Sequence, residues 1–335
     1  MFPTQASYRA AWETAYTQDP IIPLNLDIEL SSACNLRCPF CFIADPNFDN
    51  MIREKSEDGR PRQRLMPTEM AISLIDQAAK LGIPALKFNW RGESTLHPDY
   101  SKILTYARNK TRGGCNECDG YEAFYDILIN SNFDFKPRAL EGVLSATKVM
   151  VSLDSCNPEI HANMRVGSNF FNVLGNIRQV LQAGHPNVWI RRVVTSLNKH
   201  ENFKADCNRA FGNFGKFQVS EHMVFDRNVE EKHSPDVHLS APELERQYCG
   251  YPSQRLVITS AGLAIPCCIA LMENLIVGDV KKQSLTEIWN GEKLKDLRVV
   301  LRNSEKEKMS DACKSCSSWM AYKHPYRELV KDKAL

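Results

Sequence analysis

The sequence predicts an α/β protein: a partial (β/α)6 barrel followed by a small C-terminal α+β domain. Three observations carry that assignment. Six short runs alternate apolar and polar residues with the two-residue period of a strand. Helical stretches with caps and stops separate them, which implies parallel strands and right-handed crossovers. The polar side of the strands carries amides and charges where a closed eight-stranded barrel packs branched apolar side chains. Buried charge is costly without partners, so a cavity for a polar ligand is expected, with pairing among the polar residues as the alternative.

Residues 11–17 read as a lead-in helix stopping before Asp19-Pro20. The first strand, 24–30, sets Leu24, Leu26, Ile28 and Leu30 against Asn25, Asp27 and Glu29. A charged, exposed stretch covers 49–64. Thr68 caps a helix over 69–81 that Gly82 ends. The second strand, 86–91, sets Leu86, Phe88 and Trp90 against Lys87, Asn89 and Arg91. A helix over 98–110 and strands over 124–132 and 150–154 follow, adding Asn130, Asn132, Ser152 and Asp154 to the polar side. Asn157 caps the next helix, with Pro158 at its first position. A helix over 171–183 stops at Gly184, and strands over 188–195 and 217–225 complete the six. The divisions expected are a lead-in at 1–21, the barrel at 22–235 and the smaller domain at 236–335.

The 335 residues suffice for that arrangement, and a composition 43% hydrophobic and 24% charged is ordinary for a globular chain. A net charge of +2 gives no ground for nucleic acid or an anionic membrane as a partner. No stretch approaches the roughly 18 apolar residues that span a bilayer, and the first residues lack the apolar core of a signal peptide. Twelve cysteines without an export signal point to the reducing cytoplasm, where they serve as metal ligands or reactive thiols.

The densest chemistry follows the first strand. Cys34, Cys38 and Cys41 lie within eight residues, too close to make good disulfides with one another and well placed to hold one soft metal centre. Four thiolates close a coordination shell, whereas three can leave one position open to ligand. An iron–sulfur cluster with an exchangeable site is therefore expected, with a closed zinc site as the alternative.

The spacing Cys34-x3-Cys38-x2-Cys41 resembles that of the radical S-adenosylmethionine (SAM) enzymes, and the likeness extends from about residue 22 to 230. Phe40, the aromatic residue before the last cysteine, is typical of that family. Arg91-Gly92-Glu93-Ser94 resembles its Gly-Gly-Glu-Pro motif, departing at Arg91 and Ser94. The resemblance implies that Gly92 and Glu93 receive the methionine amino group of SAM and that Ser131 and Asn132 contact its ribose. Ser152 and Asp154, with Arg165 beyond, resemble the fourth-strand motif that faces SAM. It further implies a [4Fe–4S] cluster whose fourth iron binds SAM, and one-electron cleavage to methionine and a 5′-deoxyadenosyl radical, with the protein supplying position and exclusion of water.

A second set begins at Cys249, followed after twelve residues by Gly262, after four more by Cys267, and later by Cys313 and Cys316. This resembles the SPASM/twitch extension of the same family, in its short twitch form. The resemblance implies one auxiliary [4Fe–4S] cluster held by Cys249, Cys267, Cys313 and Cys316, saturated and so suited to electron transfer; a structural zinc site is the alternative. A strand over 275–280 and a helix over 285–290 are expected between Cys267 and Cys313. Cys268 falls outside the spacing. Cys115 and Cys118 form a CxxC pair with no second pair nearby in sequence.

Cys156, near the barrel mouth, is a candidate hydrogen-atom donor or an inert thiol; Glu221 and His222 are candidates for touching substrate. His97 reads as local structure. The function expected is hydrogen abstraction from a small polar substrate and its two-electron oxidation, alcohol to ketone on a sugar or aminocyclitol, because the single-cluster layout resembles that of an aminocyclitol dehydrogenase. A flavodoxin- or ferredoxin-type protein would supply electrons. Fewer than thirty residues precede the first strand, so no peptide-recognition domain is expected there. The alternatives are a maturase of a ribosomally made peptide and, in another class, a zinc-stapled binding protein without catalysis.

Overall fold

The computed structural model describes residues 2, 4–15, 19–44, 65–110, 124–223, 249–267 and 275–314. The lead-in helix α1 (Gln5–Thr14) starts earlier than expected because Thr4 and Ser7 form a capping box. Six parallel strands follow, each overlapping the run that alternation marked: β1 (Asn25–Ile28), β2 (Ala85–Lys87), β3 (Asp126–Ser131), β4 (Lys148–Ser152), β5 (Val188–Val194) and β6 (Gln218–Met223). The helices between them are α2 (Thr68–Leu81), α3 (Tyr100–Asn109), α4 (Leu140–Ser145), α5 (Pro158–Met164), α6 (Phe170–Gln182) and α7 (Phe203–Phe211).

Asn157 caps α5 as expected, accepting from the backbone of Glu159 and Ile160, and Gly82 closes α2 in the left-handed region at φ 74°. Thr68 does not cap α2. Pro67 holds the cap position, and the Thr68 hydroxyl donates instead to Asp99 at 2.6 Å.

The apolar side of the sheet faces the helices. Leu26, Ile28, Ile127, Ile129, Val149, Val151 and Ile190 share one buried cluster with Leu74 and Ile75 of α2, Ile103 and Leu104 of α3, Val173 and Ile177 of α6, and Phe203 and Phe211 of α7. Burying each such side chain stabilises by about 1.5–3 kcal/mol, which commits the polar face to the interior of the barrel.

That interior divides by strand. All of β1 is buried, and Asp27 on it and Glu29 just beyond it are taken by neighbours: Asp27 by Arg255 (3.3 Å) and Lys87 (3.8 Å), Glu29 by Arg91 (2.8 Å). On β3 and β4, inner residues are half-buried and alternate with buried outer ones. Internal pairing therefore occupies the β1–β2 side of the interior, whereas the inner residues of β3 and β4 stay partly accessible.

The C-terminal elements are α8 (Tyr251–Gln254), β7 (Arg255–Ile258), β8 (Leu263–Ile265), β9 (Gly278–Asp279), α9 (Leu285–Trp289), α10 (Glu292–Arg302) and α11 (Asp311–Lys314). The strand expected over 275–280 is cut to β9. The strands of this part join the barrel sheet: β7 runs parallel beside β1, and β8 and β9 follow antiparallel, giving the order β6-β5-β4-β3-β2-β1-β7-β8-β9. Among the described residues no helix is long and apolar enough to cross a membrane.

Candidate active site

The cysteine loop leaves β1 through Ser31 and is clamped from three sides. Gly92 sits at φ 66°, and a Cβ there would stand 2.3 Å from the Ser31 carbonyl oxygen and 2.6 Å from that of Ala33. Only glycine allows that approach, and it brings the Glu93 backbone N–H to the Ala33 carbonyl at 2.7 Å. From the end of β3, the Asn132 side-chain amide donates to Asn35 at 2.8 Å. Beyond α5, the Val166 carbonyl accepts from the Arg37 N–H at 2.9 Å.

Burial raises all three thiols on this loop: Cys34 to about 12, and Cys38 and Cys41 in the same direction. For Cys38 the nearby Arg165 works against burial, its guanidinium lying 3.8 Å from Cys38 Sγ. Cys38 and Cys41 raise Cys34 further, and Cys38 raises Cys41. Among the described residues no three Cys, His, Asp or Glu side chains stand at the spacing of one shared metal ion. The donor set is nevertheless that of a soft metal centre, since a bound cation reverses the cost of making thiolates.

Glu93 is buried and its carboxylate is fully engaged. One oxygen accepts from the Asn132 N–H (2.8 Å); the other accepts from the Thr95 N–H (3.2 Å) and hydroxyl (2.8 Å). Burial pushes Glu93 above the usual carboxylate range, against these donors. Glu93 thus ties the end of β2 to the end of β3. Asn89 Oδ1 and Ser94 Oγ are buried without a hydrogen-bond partner among the described residues, as polar atoms awaiting a ligand are.

Asp154 adopts φ 66°, unusual for a non-glycine residue, and is fully buried. It is held by the Arg165 guanidinium and by the Val193 N–H at 2.7 Å. Burial works against the Arg165 charge, but Asp154 and Cys38 outweigh it and raise the guanidinium. Arg165 also lies over the Phe40 ring at 5.3 Å. Phe40, Arg165 and Asp154 are therefore one assembly against Cys38. Ser131 accepts from the Phe133 N–H at 3.0 Å, and Ser152 donates to Asn130 on the inner face at 3.2 Å.

Of the substrate candidates, His222 lies on the same face of its strand pair as Val193, its register partner on β5. It is set two residues along β6 from Ser220, whose hydroxyl it meets at 3.3 Å, and burial with Arg191 nearby lowers it to about 4. Glu221 falls on the opposite face, paired at 3.1 Å with Arg192, which lies over Phe203 of α7. Cys156 also turns outward: its Sγ is 3.8 Å from that of Cys207 on α7. Register explains Glu221, because successive residues of a strand point to opposite faces; Cys156 lies beyond the end of β4, past Asp154 at φ 66°, where strand alternation no longer holds. His97 bonds the Met66 carbonyl at 2.7 Å, the local role expected of it.

In the C-terminal part, Cys249 and Cys313 pack on one small cluster around Leu301 and Met309. Cys267 packs on Val257 and Ile265, where Trp90 from the end of β2 also packs. Cys316, Cys268, Cys115 and Cys118 lie outside the described residues. Residues that sequence reasoning missed are Asn35, Thr95 and Arg191. For Arg191 a cue was present, its place in the alternation of the fifth strand.

A partial β/α barrel with three cysteines on the loop after its first strand, and a cysteine-bearing extension on its sheet, defines an iron–sulfur enzyme class. The radical SAM superfamily model matches residues 28–206, more than half the chain, and the SPASM iron–sulfur cluster-binding domain matches 249–317. The chain belongs to the radical SAM superfamily. Its cofactors are accordingly SAM, a [4Fe–4S] cluster and auxiliary iron–sulfur binding in the SPASM region.

One curated relative is the S-adenosyl-L-methionine-dependent 2-deoxy-scyllo-inosamine dehydrogenase of Niallia circulans, 30% identical over 70 residues, which are 21% of this chain and 28% of that protein. The chain thus matches well under two thirds of that relative's length. Among solved structures, BtrN in complex with AdoMet and 2-DOIA superposes with TM-score 0.52 at 16% identity, covering 88% of this chain and 93% of that one. SuiB of Streptococcus suis, bound to precursor peptide SuiA, gives TM-score 0.57 at 16% identity over 94% and 74%. Both likenesses are of fold.

Proposed function

We propose that the enzyme abstracts hydrogen from a small polar substrate and oxidises it by two electrons, alcohol to ketone on a sugar or aminocyclitol, acting as an oxidoreductase. The observation that carries this is the divided interior. The inner faces of β3 and β4 keep Asn130 and Ser152 half-buried, whereas the β1–β2 side is filled by its own ion pairs. The similarity to the inosamine dehydrogenase supports the same chemistry.

In this reading Cys34, Cys38 and Cys41 hold the [4Fe–4S] cluster, and Cys249, Cys267, Cys313 and Cys316 the auxiliary one. Asn89 and Ser94 offer the unpartnered polar atoms for SAM, with Ser131, Asn132, Ser152 and the Phe40–Arg165–Asp154 assembly around them. Gly92 and Glu93 act by fixing the loop against β2 and β3. When bound, the cofactors supply a 5′-deoxyadenosyl radical to take the hydrogen atom and an auxiliary acceptor for the second electron. In this reading His222, held neutral by burial and by the nearby Arg191, accepts the alcohol proton. Electrons would come from a flavodoxin- or ferredoxin-type protein.

The test is anaerobic reconstitution followed by incubation with reductant, SAM and deuterated metabolite or peptide pools. Deuterium in 5′-deoxyadenosine from a polyol supports the proposal. Transfer only from a ribosomal peptide would replace it with the maturase reading, and a colourless, zinc-containing protein would end both. Replacing Cys34, Cys38 and Cys41 by Ala should abolish SAM cleavage and leave roughly half the iron.

A further inference from the structure

We infer that Arg191 is a recognition residue for an oxyanion, carboxylate or phosphate, carried by the substrate. The inference rests on the preceding proposal that the accessible part of the inner face receives a small molecule, and it narrows which one.

Arg191 lies in the middle of β5, in register with Ser152 of β4 and Ser220 of β6. Its neighbours Ile190 and Arg192 serve the outer layer, so its own side chain faces inward, where its charge reaches His222. Most charges on the inner face have an opposite charge in contact: Asp27 has Lys87 and Arg255, Glu29 has Arg91, Asp126 has Arg9 at 2.5 Å, and Asp154 has Arg165. Among the described residues Arg191 has none: its Nη1 meets the Met150 sulfur at 3.7 Å, and its Nε is buried with no hydrogen-bond partner among them. Asp154 is near enough to be felt but is committed to Arg165 and the Val193 N–H.

A guanidinium remains charged under these conditions, and a buried donor without an acceptor is costly. Its planar fork suits two parallel hydrogen bonds to one oxyanion. The inner face thus carries, at Arg191, a cation without a matching anion among the described residues. A cationic aminocyclitol is repelled there, and an acidic sugar or a sugar phosphate is attracted.

The experiment titrates the reconstituted, SAM-loaded protein with glucose, glucuronate and glucose 6-phosphate, following tryptophan fluorescence. The result expected is at least about tenfold tighter binding of one acidic probe than of glucose, the carboxylate and phosphate arms separating the two sources. Arg191→Gln should erase that preference and Arg191→Lys should keep part of it, with circular dichroism and iron content confirming that both variants fold. Equal binding of neutral and acidic probes, no binding of either acidic probe, or a preference surviving Arg191→Gln overturns the inference. Because the titration reads binding without turnover, a protein that binds acid but fails to cleave SAM would instead refute the proposed activity.

Discussion

At Gly92 the demand on one residue is set by two others' carbonyl oxygens. Gly92→Ala puts a Cβ into contact with Ser31 and Ala33 in a left-handed conformation. The backbone strain alone costs about 1–3 kcal/mol, and relief of the clash must move the cysteine loop. We expect a lower urea midpoint together with reduced iron in the SAM-binding cluster; a variant with both unchanged would show that the loop is not clamped there. His222 gives a pH test. Its folded pKa, about 4, lies below the ordinary value of 6.5, so between those values the unfolded chain takes up a proton that the folded one refuses. This contribution is complete above pH 6.5 and is lost as pH falls towards 4. Wild type should therefore lose more stability than His222→Gln between pH 7 and pH 4.5, measured by urea unfolding of the apo protein at each pH; parallel losses would place the imidazole in water.

Among elements, β1 has the most unusual inner face, because three later segments supply its partners. Glu29 accepts from Arg91 beyond β2 and from the backbone N–H and hydroxyl of Ser260 beyond β7. Removing one member of such a buried pair strands the other, at about 3–5 kcal/mol. Arg91→Met should destabilise by that order, and Glu29→Gln combined with it should cost less than the sum of the two single changes. A double-mutant cycle in urea checks this, and additive losses would mean that the pair is not coupled. The same strand shows what sequence could reveal. Alternation located β1 to β6 because one side must be apolar to meet the helices, and the cysteine spacings announced themselves by residue type. Whether Asp27 and Glu29 faced a ligand or each found a cation depended on Lys87, Arg91 and Arg255, the nearest of them 60 positions along the chain. The hairpin of β7 and β8 was missed, although Arg255-Leu-Val-Ile258 and Leu263-Ala-Ile265 flank a turn at Gly262 with φ 88°. The candidates Glu221 and His222 could be separated only by register, which the partner Arg192 reveals.

For the whole molecule, the C-terminal cysteine region is not an appendage. β7 pairs with β1 over four residues, and the backbone N–H groups of Leu24 and Glu29 donate to Gln254 and Ile258 at its two ends. The lead-in is held by the same region: Asp19 binds Ser253 (2.8 Å) and Arg302 (2.6 Å), the Pro20 carbonyl accepts from the Trp289 indole (2.8 Å), and the Trp12 carbonyl from Gln254 (2.9 Å). A chain ending at residue 248 would lose all of these together. It would also leave Asp27 without Arg255, and bare a hydrophobic strand edge that other chains can pair with. We therefore expect such a truncation to aggregate, and the intact protein to unfold its barrel and C-terminal sheet in one transition. Size-exclusion chromatography and circular dichroism of the truncated chain test this. A monodisperse monomer with native secondary structure would show that the barrel folds alone and that β7 merely docks on it. Aggregation, with the intact chain unfolding in a single step, would show that the two cysteine regions are built on one cooperative sheet, which fixes their separation.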